Sequence, residues 1–343
     1  MQFGSILTVL TSALVALPAT MASRIAQNTY SNINADYCYD DVVIEHGVFW
    51  CCFDTVLRFG GAFINHGSFY LFHDRRTGTL LNLGVVGCDY IENYGLMYFN
   101  SIHAGIQIDL MTSHVKNSGD FFFMGEDAYN SKIKMPGTWE ITKTGSFNMY
   151  FDSRPQRGAM LGTVGTVFTN DGQICLRNAY IDSLVVKGKG CINIGEDSVF
   201  RYQSSTDIFP ASQTIFLSSK TSMLFVGADR QYYAYTIAGW GNGNYIVHSY
   251  PIINYSYDTE IGVLTVDASQ YNIKYTMKYN IGLGYDPELF ELASMVPLGS
   301  DLGFYSKTNA GITYLGDVPA SSTSSSGCKP CKDAPMFPPE PIE

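Results

Sequence analysis

Cysteine is the residue type with the most chemistry to offer in this chain. Eight are present: Cys38, Cys51, Cys52, Cys88, Cys175, Cys191, Cys328 and Cys331. Four lie early, two in the middle and two near the end, and so many fit an oxidising compartment where disulfides persist. Spacing alone leaves their connectivity open. Cys328-Lys329-Pro330-Cys331 has the spacing of a redox pair, but such a pair sits at a helix N-terminus in an α/β domain. Here the neighbours are Ser and Pro, so a structural disulfide is expected, within the pair or back to the body of the protein. The adjacent Cys51 and Cys52 are expected to bond elsewhere, with Cys38 and Cys88 as partners.

The other reactive types do not converge on a catalytic pattern. His46, His66, His73, His103, His114 and His248 are dispersed, with no zinc-binding spacing such as His-Glu-x-x-His. Several border turns, which suggests surface positions. Asp40-Asp41 and Glu126-Asp127 invite a calcium or glycosidase reading, yet acids beside turns ordinarily make turns and caps. Asp152 with Arg154 and Arg157 is the nearest approach to a lyase-type cluster, and it falls in a loop. The run Gly239-Trp240-Gly241-Asn242-Gly243 has the look of a phosphate loop, but no βαβ unit surrounds it. It is read as a junction turn, with Trp240 in the core rather than as a platform for a sugar ring. Asn254-Tyr255-Ser256 is an N-glycosylation sequon. No catalytic residue, metal site or cofactor is expected, and the ligand-binding residues are not identified.

The elements that must position these residues are strands. Gly (33), Tyr (24) and Phe (21) are abundant, and short apolar runs are broken by Asn, Asp, Gly and Ser. Asn65-His66-Gly67, Asn82-Leu83-Gly84, Asn93-Tyr94-Gly95, Asn117-Ser118-Gly119 and Asn170-Asp171-Gly172 share the form Asn-x-Gly. Lys143-Thr144-Gly145 and Lys187-Gly188-Lys189-Gly190 stand in comparable places. Most precede a short strand, such as 68–72, 96–99, 120–123, 146–151 and 173–176. Their uneven spacing argues against hairpins of fixed length and for a solenoid whose coils carry loops of different size. One coil cannot bury its own apolar face, whereas stacked coils share a core. Gly, or Asn in a left-handed conformation, would turn the corners.

This gives an all-β chain: a right-handed parallel β-helix over 23–229, then a small antiparallel β-sandwich over 230–316. Strands are expected at 245–248, 262–266 and 271–279, with one helix signal at Asp286-Pro287-Glu288-Leu289-Phe290-Glu291-Leu292. The Ser/Pro-rich 317–343 reads as a linker. At the other end, the apolar run Ile6–Leu17, Pro18 and the small residues Thr20 and Ala22 make 1–22 a signal peptide cleaved after Ala22. The charge, 21 basic against 31 acidic residues, gives −10 and disfavours nucleic acid as a partner.

A resemblance is carried by the later segments. These are Thr169-Asn170-Asp171-Gly172-Gln173-Ile174-Cys175-Leu176, Gly188 to Phe200, Ile215-Phe216-Leu217-Ser218, Ala238-Gly239-Trp240-Gly241-Asn242-Gly243-Asn244, Tyr257-Asp258 with Gly262-Val263-Leu264, and Ile281-Gly282-Leu283-Gly284-Tyr285-Asp286. Together they resemble the N-terminal domain of the hyphally regulated cell wall proteins, found in adhesin-like wall proteins of pathogenic yeasts. The resemblance implies a β-helix followed by a sandwich likened to the α-crystallin fold. It also implies a ligand-facing region on a Ser/Thr-rich stalk, held to cell-wall glucan through a GPI-type anchor. No hydrophobic tail is read in Pro338-Pro339-Glu340-Pro341-Ile342-Glu343, so the chain is expected to be an N-terminal fragment of a longer protein, a naturally short secreted form being the alternative. Cys175 and Cys191 both belong to the family pattern, and neighbouring coils would bring them together. A disulfide between them is expected, two buried thiols being the alternative. The function expected is non-catalytic attachment of a secreted, monomeric wall protein to host-cell or abiotic surfaces, glycans among the ligands. A polysaccharide-cleaving enzyme and a purely structural wall protein are the alternatives.

Overall fold

The computed structural model describes residues 23–32, 37–39, 41–53, 57–73, 81–86, 89–102, 106–126, 132–134, 137–152, 159–160, 167–183, 185–202, 209–227, 232–293, 309–324 and 327–335. The signal-peptide segment, Cys88, His103, Asp40, Asp127, Arg154, Arg157 and the last eight residues lie outside these.

Three sheets run along a parallel β-solenoid. Among the described residues, sheet A holds eight parallel strands, from Ser23–Ile25 to Val186–Lys187. Sheet B holds thirteen, starting at Thr29–Asn32, and sheet C holds ten, starting at Leu81–Val86. Tyr37–Tyr39 and Leu57–Phe59 form a separate parallel pair. Coils in the middle of the stack contribute one strand to each sheet in turn, so their strands pair with the coil before and the coil after, while the last parallel coils add strands to sheets B and C alone.

The register sets the core. In sheet B, Trp50, Phe69, Met97, Phe121, Phe147, Ile174, Ile192, Ile215 and Ile237 lie directly over one another. Two residues along each strand, Cys52, Leu71, Phe99, Phe123, Met149, Leu176, Ile194 and Leu217 form a second inward column. Both columns are buried. The early coils are filled with rings: Phe121 has Phe99, Phe123, Trp139 and Phe147 at centroid distances of 5.3, 5.0, 5.7 and 6.0 Å. From Ile174 onward the same columns are aliphatic. Burying each such side chain contributes roughly 1.5–3 kcal/mol, so the core is a sum of similar, stacked increments.

The Asn-x-Gly corners work differently from the expectation. Asn65, Asn93, Asn117 and Asn170 end their sheet A strands, fully buried, and none has a positive φ. Their side chains instead form a ladder along the solenoid axis. Asn65 Nδ2 donates to Asn93 Oδ1 (2.8 Å), and Asn93 Nδ2 to Asn117 Oδ1 (2.8 Å) and to the Asp120 carbonyl (3.0 Å). Ile141 replaces Asn in the next coil, and there Asn117 Nδ2 donates to the Ser146 carbonyl at 2.8 Å. The glycines serve close approach rather than handedness. A Cβ on Gly95 or Gly119 would fall within 3.0 Å of the carbonyl oxygen of the corner stacked beneath, that of Gly67 or Gly95. Asn82-Leu83-Gly84 is no corner at all, since it lies inside the Leu81–Val86 strand.

Parallel pairing extends past the 229/230 boundary, through Tyr232–Ala238 in sheet B and Tyr245–His248 in sheet C. The strands that follow prolong the same two sheets. Ile273–Asn280, Val263–Gln270 and Ile252–Asp258 form an antiparallel meander on the end of sheet B. Gly311–Tyr314 and Phe290–Ala293 do the same on sheet C. The expected strands at 245–248, 262–266 and 271–279 correspond to Tyr245–His248, Val263–Gln270 and Ile273–Asn280. The helix signal at Asp286 yields one 3-10 turn, Pro287–Leu289, with the Asp286 side chain accepting from Glu288 N at 3.0 Å. It goes no further because Phe290 must extend to pair with Tyr314.

Candidate functional site: a cystine-strapped outer face

Alternate residues of sheet B point away from the core. Tyr70, Tyr98, Phe122, Asn148, Cys175, Asn193 and Phe216 form one outward column. Leu96, Asp120, Ser146, Gln173, Cys191 and Thr214 form the neighbouring one. The two cysteines are therefore outward-facing but diagonal: Cys175 lies opposite Asn193, and Cys191 opposite Gln173. Diagonal neighbours in a sheet stand about 7–8 Å apart, beyond the usual Cα separation of a disulfide, about 4.4–6.8 Å.

The C-terminal segment supplies the partners. Cys191 bonds Cys328 and Cys175 bonds Cys331, with Cα separations of 5.4 and 5.9 Å. This corrects the expected Cys175–Cys191 bridge and settles Cys328 and Cys331 as bridges back to the body. It also corrects the linker expectation for this stretch. Ala320–Ser324 is a short helix whose Ser322 hydroxyl accepts from Tyr285 Oη (3.0 Å) and from Gly239 N (3.2 Å), and residues 327–335 form a strap across sheet B. The strap runs back against the direction of stacking. Gln173 Nε2 donates to the Lys329 carbonyl, Tyr150 Oη to the Lys332 carbonyl (2.8 Å), and Lys332 Nζ pairs with Asp120. Cys331 and Ala334 pack against Cys175, Tyr150 and the aromatic column. In the chain-entropy account, closing a loop of 156 residues contributes about 5 kcal/mol.

Two clefts flank the strap. One, of about 480 Å³, has Asn193, Phe216 and Ser218 on the sheet, Arg177 and Glu196 at its side, and residues Cys328–Asp333 as its other wall. The Arg177 guanidinium stands 4.7 Å over the Tyr150 ring. Burial pushes the Tyr150 phenol up to about 12 despite that nearby cation, so it stays a hydrogen-bond donor. Asn193 Oδ1 accepts from Ser218 Oγ at 2.6 Å. An aromatic face, a guanidinium, a carboxylate, an amide and a hydroxyl thus share one opening, and such a set suits a polar, ring-shaped ligand. The other cleft, about 290 Å³, lies between the strap and the corners at Thr144–Gly145 and Lys189–Gly190. The sequence signal for this site was Cys328-Lys329-Pro330-Cys331 itself; the groove residues Arg177, Asn193, Glu196, Phe216 and Ser218 were not singled out.

Other expected residues are scattered. Cys51 and Cys52 are buried free thiols rather than disulfide partners. They occupy adjacent positions on one strand, so Cys52 faces the core and Cys51 the outer column. Burial raises Cys51 to about 12 and Cys52 well above the ordinary thiol value, keeping both protonated. Cys38 lies on the Tyr37–Tyr39 strand. His46 and His66 are exposed, and His66 stacks on Tyr94 at 5.0 Å. His73 and His248 are buried, against the surface expectation. Trp240 is fully buried, as read, with Nε1 donating to the Asn244 carbonyl at 3.2 Å. Asp41 Oδ1 accepts from Ala62 N at 2.7 Å, a bond between residues 21 apart rather than the local turn expected of such acids. Asn254 is exposed on the outermost strand of sheet B. Among the described residues no group of three His, Cys, Asp or Glu is placed to hold a metal ion.

Comparison with known proteins follows the same boundaries as the fold. Cell wall protein IFF9 of Candida albicans is 27% identical over 96% of this chain, and cell wall protein IFF7 26% over 95%. Hyphally regulated cell wall protein 1 of the same organism is 26% identical over 88%. The chain spans only 35%, 47% and 32% of these relatives' own lengths. The model of the hyphally regulated cell wall protein N-terminal family matches residues 13–338, from before the first coil to beyond the strap, and the chain belongs to that family.

Proposed function

We propose that this chain is the ligand-facing region of a fungal cell-wall protein that attaches the cell to host or abiotic surfaces without catalysing a reaction. Wall localisation follows from the family. The observation that carries the attachment reading is the 480 Å³ cleft, where Arg177, Glu196, Ser218 and Phe216 stand over the buried Asn193 beside a covalently fixed strap. Sugars are recognised by such a pairing of a flat apolar face with convergent polar groups. The parallel solenoid supports the reading as a stiff platform, since each coil is bonded to two neighbours and a ligand contact is held with little reorganisation.

Export begins, on this reading, with cleavage after Ala22, and the exposed Asn254 carries an N-linked glycan. The fragment acts as a monomer, and a C-terminal continuation links it to wall glucan. The test is adhesion of the purified fragment Ser23–Glu343 to a glycan array, epithelial cells and plastic, beside an R177A/F216A variant. Attachment that drops at least tenfold in the variant supports the reading. Attachment unchanged in the variant removes the cleft, and turnover of any polysaccharide on the array replaces the non-catalytic reading with an enzymatic one.

A further inference from the structure

The second cleft beside the strap is electrostatically opposite to the rest of the molecule. Lys143, Lys189, Lys329 and Lys332 all line it, and among the described residues Asp171 is the only acid in the lining. Lys332 is compensated by Asp120. Lys143, Lys189 and Lys329 form no ion pair among the described residues. On a chain of formal charge −10, with ten more acids than bases, three unneutralised ammonium groups around one small cleft are not an average surface. Like charges repel, and their convergence is favourable only when an anion sits between them.

The fold brings these lysines together from distant places. Lys143 and Lys189 come from corners of sheet A and B coils, one beside Gly145 and the other beside Gly190. Lys189 is held there by its own backbone, whose N–H donates to Asp171 Oδ1 at 3.0 Å. Lys329 arrives from the far end of the chain. It lies between the two strap cysteines, with its carbonyl accepting from Gln173 Nε2. The strap therefore supplies one charge of the cleft as well as one wall. Thr214 adds a hydroxyl to the lining, and Thr144 a hydroxyl oxygen whose proton is donated to the Ser118 carbonyl; Ser146 is buried and bonded to Asp120 and Asn148.

We infer that this cleft binds an anionic sugar, a single ring bearing a phosphate or carboxylate. The volume, about 290 Å³, sits at the lower end of small-molecule sites, roughly 300–1,000 Å³, and is too small for a duplex or a bilayer face. Lysine is a point-charge partner for phosphate and carboxylate oxygens, and the Thr214 hydroxyl is left to meet those of a sugar ring. This deepens the surface-attachment reading by giving one class of ligand, but the two stand on different clefts.

Titration of the folded fragment with mannose 6-phosphate, glucuronic acid, mannose and inorganic phosphate tests it, read by chemical shifts or calorimetry. The expected result is binding of mannose 6-phosphate or glucuronic acid at least tenfold tighter than mannose, weakening as salt rises. A K143Q/K189Q/K329Q variant, which leaves both disulfides and the core untouched, should lose that preference at least tenfold with an unchanged circular-dichroism spectrum. Equal affinity for mannose and mannose 6-phosphate overturns the inference. So does full binding in the triple variant, or binding of phosphatidylserine vesicles without any of the sugars. Cell attachment measured on the same variant separates the two readings. Attachment retained while anionic-sugar binding was never present sinks this cleft alone; attachment absent in the unmodified fragment sinks the general reading.

Discussion

The early and late coils of the solenoid solve one packing problem with different means. Between Trp50 and Phe147 the inward columns of sheet B are largely aromatic, and rings stack from coil to coil at about 5–6 Å. Between Ile174 and Ile237 the same columns are aliphatic, and this is where both strap disulfides attach. Large rings fill a coil and gain extra from edge-to-face contacts, about 0.5–1.5 kcal/mol per pair. Smaller aliphatic coils gain less per rung, and covalent closure from outside adds what the core does not supply. The cysteines divide likewise: Cys51 and Cys52 in the aromatic half are reduced packing residues, while Cys175 and Cys191 in the aliphatic half are staples.

The largest expected effect comes from releasing the strap. A C328S/C331S variant, which opens both bridges, should lose at least about 5 kcal/mol of stability, measured by guanidinium unfolding, and should lose it mainly from the late coils, seen as faster amide exchange over 173–217. An equal loss of protection in the coils before Trp139 would break the comparison. Next, Phe121→Ala should cost about 3–5 kcal/mol, while Ile192→Val in the same column costs about 0.5–1.5. Similar penalties after allowing for volume would show that ring stacking contributes nothing special.

Acid should loosen the late region first. His248 is buried at the end of the parallel part, with Tyr279 Oη 3.3 Å from Nε2, and burial lowers its pKa to about 3. In the unfolded chain an ordinary histidine titrates near 6.5. The unfolded state therefore takes up the proton first, so the stability conferred by the neutral ring is fully present above about pH 6.5. It is lost as pH falls from there towards 3, by a few kcal/mol in total. H248Q should flatten that slope in unfolding measured between pH 7 and 4. An unaltered slope would remove His248 as its cause.

The smallest effect concerns the corners. Asn93→Ala removes two donated bonds and leaves the Asn65 amide with the Leu96 carbonyl alone as acceptor, costing about 1–3 kcal/mol. Ile141, which occupies the ladder position in its own coil, marks a gap. Replacing it with Asn should be no more than neutral, since Ile141 is itself fully buried in the core. Denaturant midpoints of the two variants check both statements.

Several features were legible from residue order. The recurring Asn-x-Gly located true corners at Asn65, Asn93, Asn117 and Asn170, and the strands after them fell where expected. The reason they recur was misjudged, because close approach between coils and an amide ladder are properties of the stack, invisible in any one coil. The Cys175–Cys191 expectation failed on register. Gly172 and Gly190 sit 18 apart (190 − 172) while the cysteines sit 16 apart (191 − 175), so the coil repeat places Asn193, not Cys191, opposite Cys175. That offset was present in the sequence but carried meaning only once adjacent corners were known to stack directly.

By itself, then, the sequence determined the class of structure: period-two apolar runs between Asn and Gly corners have nowhere to bury their faces except against copies of themselves. It also determined the family, through the segments from Thr169 to Asp286. Only the tertiary structure decided which cysteines meet and which lysines converge. The cystine contacts join residues 137 and 156 positions apart, and a chain that doubles back along its own outer face does so by surface fit and covalent closure, neither of which leaves a periodic mark in the residue order.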